Sequence, residues 1–314
     1  MMAATGLGLG AAAAASEAAD TPKPVRFSNV DQIVVKAPSF RYCFNTATIM
    51  GQNLPLEKEA EIAAKAGYRG FEPWVRKIEE YRKKGGSLAD MKKRIADLGL
   101  SVEGAIGFAG WLDDDEAKRK AGLEQMKRDM DLVAQIGGKR IAAPPVGATN
   151  QPMDLLNVAE RYRVVLEVGR EAGIVPQLEL WGRSKTLSRL GEVAFVLVES
   201  AHPDACTVLD VFHVYRGGSD FAGLKMLSGS ALHVFHMNDY PADPPREKAT
   251  DGDRVFPGDG VAPMTQILRD LRSIGFRGFL SLELFNKKYF QQDPLTVART
   301  GLEKMKACVG KALG

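Results

Sequence analysis

The chain has 314 residues, enough for one large domain or two ordinary ones, and 45% hydrophobic with 26% charged residues allows a sizeable buried core. A net charge of +3, with both signs mixed along the chain, argues against a nucleic-acid binder. Cys43, Cys206 and Cys308 lie far apart without a CxxC spacing, which argues against a disulfide framework or a cysteine zinc site and leaves them as small buried hydrophobes.

Residues 1–22 differ from the rest. Met1 to Ala18 is rich in alanine and glycine, nearly uncharged, and closes on Ser16-Glu17-Ala18, a small-x-small pattern like the apolar part and cleavage region of an export signal. A basic leader and a twin arginine are missing. The expectation is a signal-like or disordered segment, with export to the periplasm in the first case and a cytoplasmic protein otherwise. No other stretch is apolar over the approximately 20 residues of a membrane span.

From there a repeated punctuation sets in: an amphipathic helix stops at a glycine and a short apolar strand follows. A first strand is expected at Tyr42–Asn45. Gly67 then precedes a strand over Tyr68–Pro73, and Gly99 one over Leu100–Gly104. Asp114–Ile136 reads as a helix, closed by Gly137 before a strand over Arg140–Pro144. A helix over Pro152–Gly173 leads to a strand over Ile174–Leu180, and a helix over Leu187–Ser200 to one at Thr207–Asp210. Leu232–His236 is the seventh strand, and Gly275 introduces the eighth, Phe276–Leu284. Glycine reaches the left-handed conformation that ends a helix without steric cost, so each stop has a mechanism. Eight alternating units, spaced about 25 to 45 residues apart, predict an α/β fold of the TIM (β/α)₈ class, with residues 38–314 as the barrel domain. A doubly wound open sheet is the runner-up, but no GxGxxG follows the first strand. Pro241–Gly260, polar and turn-rich, reads as a long loop on the active-site face.

Catalytic side chains of such barrels sit at the C-terminal ends of strands. Four late strands end in candidate ligands: Glu179 between two leucines, Asp210, His236, and Glu283 again between leucines. A carboxylate facing into an apolar strand layer is costly unless paired or metal-bound. Four such residues on four consecutive strands therefore point to one shared divalent ion. Three carboxylates and an imidazole are a hard set, suited to Mn²⁺ or Mg²⁺, with Co²⁺ and Zn²⁺ also compatible. At the edges, Glu72 is a candidate for a substrate hydroxyl or an auxiliary ligand. Trp111, Phe108 and Trp181 are candidates for an apolar wall against a sugar ring. Arg216 and Lys287 are cations for a substrate oxyanion or for neutralising carboxylates, and Asn238 and Asp239 are supports for His236. No glycine-rich phosphate loop follows the last two strands, which favours a non-phosphorylated substrate.

The series Glu179, Asp210-x-x-His213, His236-x-Asn238-Asp239, Glu283 resembles the xylose isomerase-like sugar isomerase and epimerase superfamily, which includes ketose 3-epimerases, hydroxypyruvate isomerase and inosose dehydratase. Phe256-Pro257-Gly258-Asp259-Gly260 and the tail Glu283-Leu284-Phe285-Asn286, with Gln292-Asp293-Pro294, carry the same likeness, which covers roughly residues 41–313. The resemblance implies that Glu179, Asp210, His236 and Glu283 bind the metal, that Glu179 and Glu283 also serve as acid and base, and that His213 contacts substrate. It implies an isomerase or epimerase working through an enediolate on a small carbohydrate. A lyase or dehydratase acting by β-elimination on a keto-sugar, 3-keto-glycoside or inosose is the alternative. A related apurinic endonuclease is disfavoured, because its metal cluster needs histidines on early strands and none here precedes His202. A catalytically silent scaffold is disfavoured by the intact ligand set. The sequence leaves a homo-oligomer open.

Overall fold

The computed structural model describes residues 40–314, so the signal-like stretch at residues 1–22 lies outside the described residues. The strands are β1 (Arg41–Asn45), β2 (Gly70–Glu72), β3 (Ser101–Val102), β4 (Arg140–Ala143), β5 (Val175–Glu179), β6 (Thr207–Asp210), β7 (Leu232–Met237) and β8 (Phe279–Leu282). The helices are α1 (Leu56–Ala66), α2 (Val75–Lys83), α3 (Leu88–Asp97), α4 (Glu116–Gln135), α5 (Leu155–Ala172), α6 (Leu190–Glu199), α7 (Val211–Arg216), α8 (Met264–Ser273) and α9 (Pro294–Leu313). None of the described helices is long and apolar enough to cross a membrane.

The glycine punctuation is how helix becomes strand. Gly67 closes α1 at φ +102° and Gly173 closes α5 at φ +68°, each donating its backbone N–H to carbonyls of the last helical turn. Gly99, Gly137 and Gly275 share the positive φ. After each of these glycines the next strand begins within a few residues.

All registered strand pairs are parallel, in the order β3-β2-β1-β8-β7-β6-β5-β4. β8 pairs with β1, which curls the sheet into a TIM barrel. The remaining seam, β3 against β4, has no ladder and is bridged by the Ala142 N–H donating to the Ala105 carbonyl at 2.9 Å.

Strand alternation places the site. Leu178, Leu180, Leu282 and Leu284, which flank Glu179 and Glu283, are fully buried in the core between sheet and helices. The opposite parity fills the lumen. Ile106, Ala142, Val208 and Val234 form its apolar plug, with Trp74 packed against it. Asp210 and His236 lie two residues beyond Val208 and Val234 and so stand one layer nearer the C-terminal mouth. The extended run of β6 stops at Asp210, as expected, while β2, β3 and β8 are shorter than the runs that foretold them. Asp210 Oδ1 accepts the His213 N–H at 2.8 Å, capping α7 and turning the chain inside the mouth. The loop after β7 is long, as expected. Asp239 pins it by accepting backbone N–H groups from Tyr240 (2.8 Å), Gly258 (3.0 Å) and Ala262 (2.9 Å), a role for Asp239 in the loop rather than at His236.

Candidate metal centre and cavity

Asp210, His236 and Glu283 converge at the ends of β6, β7 and β8, with one ligand atom from each inside a 4.8 Å span. His236 Nδ1 lies 3.3 Å from Glu283 Oε2 and 3.9 Å from Asp210 Oδ2, yet it has no hydrogen-bond partner. Glu179, from the end of β5, stands outside that triad. It lines the same cavity as Glu283, and its buried Oε2 has no partner either. Burial first, then the charge of Glu283, pushes the Glu179 carboxyl up to about 8.

The surrounding residues hold these groups in place. Asn238 donates to Asp210 Oδ2 at 2.7 Å and accepts the Phe212 N–H at 2.9 Å. Asn45, the last residue of β1, donates to Glu283 Oε1 at 3.0 Å and to Glu72 Oε2 at 3.1 Å. Glu72 reaches across the lumen from β2 to His236 Nε2 at 3.0 Å. Burial disfavours a charged imidazole, but Glu283 and Glu72 more than offset it and hold the His236 value well above the ordinary range. The same imidazole, followed by Arg254, holds Glu283 well below the carboxylate range despite its burial.

Arg254 is the functional-site residue that the sequence does not reveal. It lies in the long loop after β7, is 1% exposed, and donates from Nη1 to Asp210 Oδ2 (2.9 Å) and Glu283 Oε2 (2.8 Å). Its Nη2 reaches Asp251 Oδ1 (2.7 Å) and His213 Nε2 (3.1 Å), and Phe212 and Phe285 each present a ring 5.0 Å from its guanidinium carbon. A guanidinium only donates, so His213 Nε2 accepts and its proton resides on Nδ1, which has no protein partner. Burial, then the nearby Arg254 charge, lowers the His213 value and keeps this ring neutral. The signal for Arg254 was the turn-rich loop itself; nothing local distinguished this arginine from its neighbours.

The cavity above these groups has a volume of about 450 Å³. An aromatic arc runs along its wall: Phe285 to Trp74 (6.2 Å between centroids), Trp74 to Phe108 (5.0 Å), Phe108 to Trp181 (6.1 Å) and Trp181 to His213 (6.5 Å). Thr149, Asn150, Ser184 and the Arg183–Asp251 ion pair (2.8 Å) supply polar edges. Such a site offers hydroxyl and carbonyl partners at its charged floor and flat apolar faces at its rim.

The sequence profile of the xylose isomerase-like TIM barrel family matches residues 60–308. The chain belongs to this family. Among its relatives, the inosose isomerase of Bacillus velezensis is 27% identical over 276 residues, covering 86% of this chain and 98% of that enzyme. The 3-dehydroshikimate dehydratase of Pseudomonas aeruginosa is 30% identical, covering 74% of this chain but 36% of that longer protein. Among solved structures, the IolI protein with a zinc atom superposes with a TM-score of 0.80 at 24% identity, over 87% of this chain and 99% of that one.

On this xylose isomerase-like barrel, four residues singled out as substrate contacts lie off the cavity wall. Trp111 is fully buried, donating its indole N–H to the Pro144 carbonyl at 2.7 Å and packing on Tyr162, because the loop after β3 folds back against β4. Arg216 points its guanidinium at the Ala249 and Glu247 carbonyls (3.1 and 3.0 Å), fastening the long loop. Lys287 is exposed and is not among the residues that line the cavity. Glu72 is 1% exposed and sits beneath His236 rather than facing substrate. Trp181, Phe108 and His213 do line the cavity.

Proposed function

We propose that the chain is a divalent-metal-dependent isomerase or epimerase acting on a small, non-phosphorylated keto-sugar or polyol ketone. One observation carries the reading: buried Asp210, His236 and Glu283 bring one ligand atom each within a 4.8 Å span, and His236 Nδ1 among them has no hydrogen-bond partner. Buried carboxylates are costly unless paired or metal-bound, and a cation at this cluster would satisfy them. Glu179, Asp210, His236 and Glu283 would hold it, a hard donor set that favours Mn²⁺, with Mg²⁺, Co²⁺ and Zn²⁺ also compatible. When bound, such an ion supplies Lewis-acid polarisation of a substrate carbonyl and favours the enediolate.

The remaining chemistry belongs to the chain. Glu179 removes the proton α to the carbonyl. Glu283 is the second carboxylate, the one that returns it. Reprotonation at the neighbouring carbon isomerises; reprotonation of the same carbon on the opposite face epimerises. His213, with its proton on Nδ1, donates to a substrate oxygen, and Arg254 keeps that tautomer in place while neutralising Asp210 and Glu283. Trp181, Phe108 and Trp74 pack against the apolar face of the ring.

A second reading, elimination by the same proton abstraction with a leaving group β to the carbanion, is favoured by the 30% identical relative that bears a dehydratase name. A panel of ketoses, inososes and 3-keto-glycosides incubated with Mn²⁺ and followed by mass spectrometry and NMR tests both. Conserved mass with a moved carbonyl or inverted centre supports isomerisation. Loss of water or an aglycone supports elimination, and no turnover across the panel removes both.

A further inference from the structure

The buried network beneath the site assigns Glu72 a task of its own. Its carboxylate is 1% exposed, and one oxygen, Oε2, collects three donors: Ser281 Oγ at 2.8 Å, His236 Nε2 at 3.0 Å and Asn45 Nδ2 at 3.1 Å. These partners come from β8, β7 and β1, so the contact from β2 to β7 spans the barrel lumen over two intervening strands. Space is kept for it: a Cβ on Gly104 would lie 2.5 Å from Glu72 Oε1. A buried carboxylate is costly, and one held by three donors, with a glycine reserved beside it, is placed rather than tolerated.

We infer that Glu72 is a positioning residue that fixes the His236 imidazole and keeps the proton on Nε2, so that Nδ1 is the nitrogen that gives up its proton and turns its lone pair to a divalent cation when one binds. This deepens the metal-dependent reading above and rests on it. An imidazole has two nitrogens and can coordinate through only the unprotonated one, so the acceptor on the far side selects the ligand atom and sets the ring plane. Glu72 accepts at Nε2, and His236 Nδ1 is the nitrogen left without a partner, 3.3 Å from Glu283 Oε2. A full negative charge behind the ring also raises its basicity as a ligand. Asn45 couples the two shells, because one amide nitrogen donates to Glu72 and to Glu283. Glu72 therefore acts on the cation through His236 and Asn45, without touching substrate.

The test is Mn²⁺ affinity, measured on chelator-stripped full-length protein by EPR of the free ion, alongside thermal unfolding of the metal-free forms. Glu72→Ala is expected to weaken Mn²⁺ binding by about 10- to 100-fold. Glu72→Gln, which keeps an acceptor for Nε2–H and loses only the charge, is expected to lie between Glu72→Ala and the unaltered protein, and it serves if the alanine variant does not fold. A folded Glu72→Gln that binds Mn²⁺ as the unaltered protein does, with only metal-free melting lowered, would assign Glu72 to packing and overturn the inference. Unaltered protein that binds no Mn²⁺ would instead sink the metal-dependent reading itself.

Discussion

Strands β5 to β8 and strands β2 to β4 make an instructive contrast within one barrel. The late strands are four to six residues long, and each delivers an ionisable side chain to the mouth: Glu179, Asp210 and Glu283 at or just past their strand ends, His236 one residue short of its own. The early strands are two to four residues long, and their seam rests on one backbone hydrogen bond. Their side chains are walls and braces: Trp74 and Phe108 on the cavity, Trp111 buried behind it, Glu72 under His236. Charge that must converge within a few ångströms needs strands held in register with their neighbours. A wall tolerates a looser seam.

If that division is right, substitutions at the late strand ends abolish chemistry and spare the fold, while those in the early half, Glu72 apart, cost stability first. The largest effect is expected from Glu179→Gln and Glu283→Gln, each lowering turnover by about 10²- to 10⁴-fold, the range of a lost acid or base. Circular dichroism should show both folded; full activity in either would remove its acid–base role. Next comes the ion. Metal analysis should find about one divalent ion per chain and none in Asp210→Ala, and saturation at 100 times Kd should stabilise the unaltered protein by about 2.7 kcal/mol. A melting temperature indifferent to Mn²⁺ and chelator would count against a site in the late half.

In the early half, Trp111→Phe removes the indole N–H donated to the Pro144 carbonyl, which keeps the Val146 N–H at 2.7 Å, so the lost bond is expected to cost about 0.5–1.5 kcal/mol. Denaturant unfolding would register that loss with turnover unchanged; altered KM would return Trp111 to the substrate wall. A pH-dependent effect concerns Glu59 on α1. Burial pushes its carboxyl from 4.5 up to about 7 against the pull of Lys77. The folded state therefore holds a proton that the unfolded chain releases, and this contribution is full below about pH 4.5 and lost as pH rises through about 7. Subtracting the stability curve of Glu59→Gln from that of the unaltered protein should leave a difference falling across that window, by at most about 1.4 kcal/mol per pH unit. A flat difference would place Glu59 in water.

Local sequence sets the helix stops, the approximate strand sites and the run of polar strand ends. Each is a local event: a glycine in the left-handed region, or a charged side chain breaking an apolar alternation within a few residues. Tertiary structure alone decided which polar groups meet. Arg254 joins Asp210 across 44 residues and Glu72 joins His236 across 164, distances over which no spacing rule operates. Trp111, Arg216 and Lys287 look like site residues because they follow strand ends, but a loop can fold its side chain onto the mouth, under it or away from it. That choice is made by what the closed barrel leaves to pack against, and barrel closure is a property of all eight strands together.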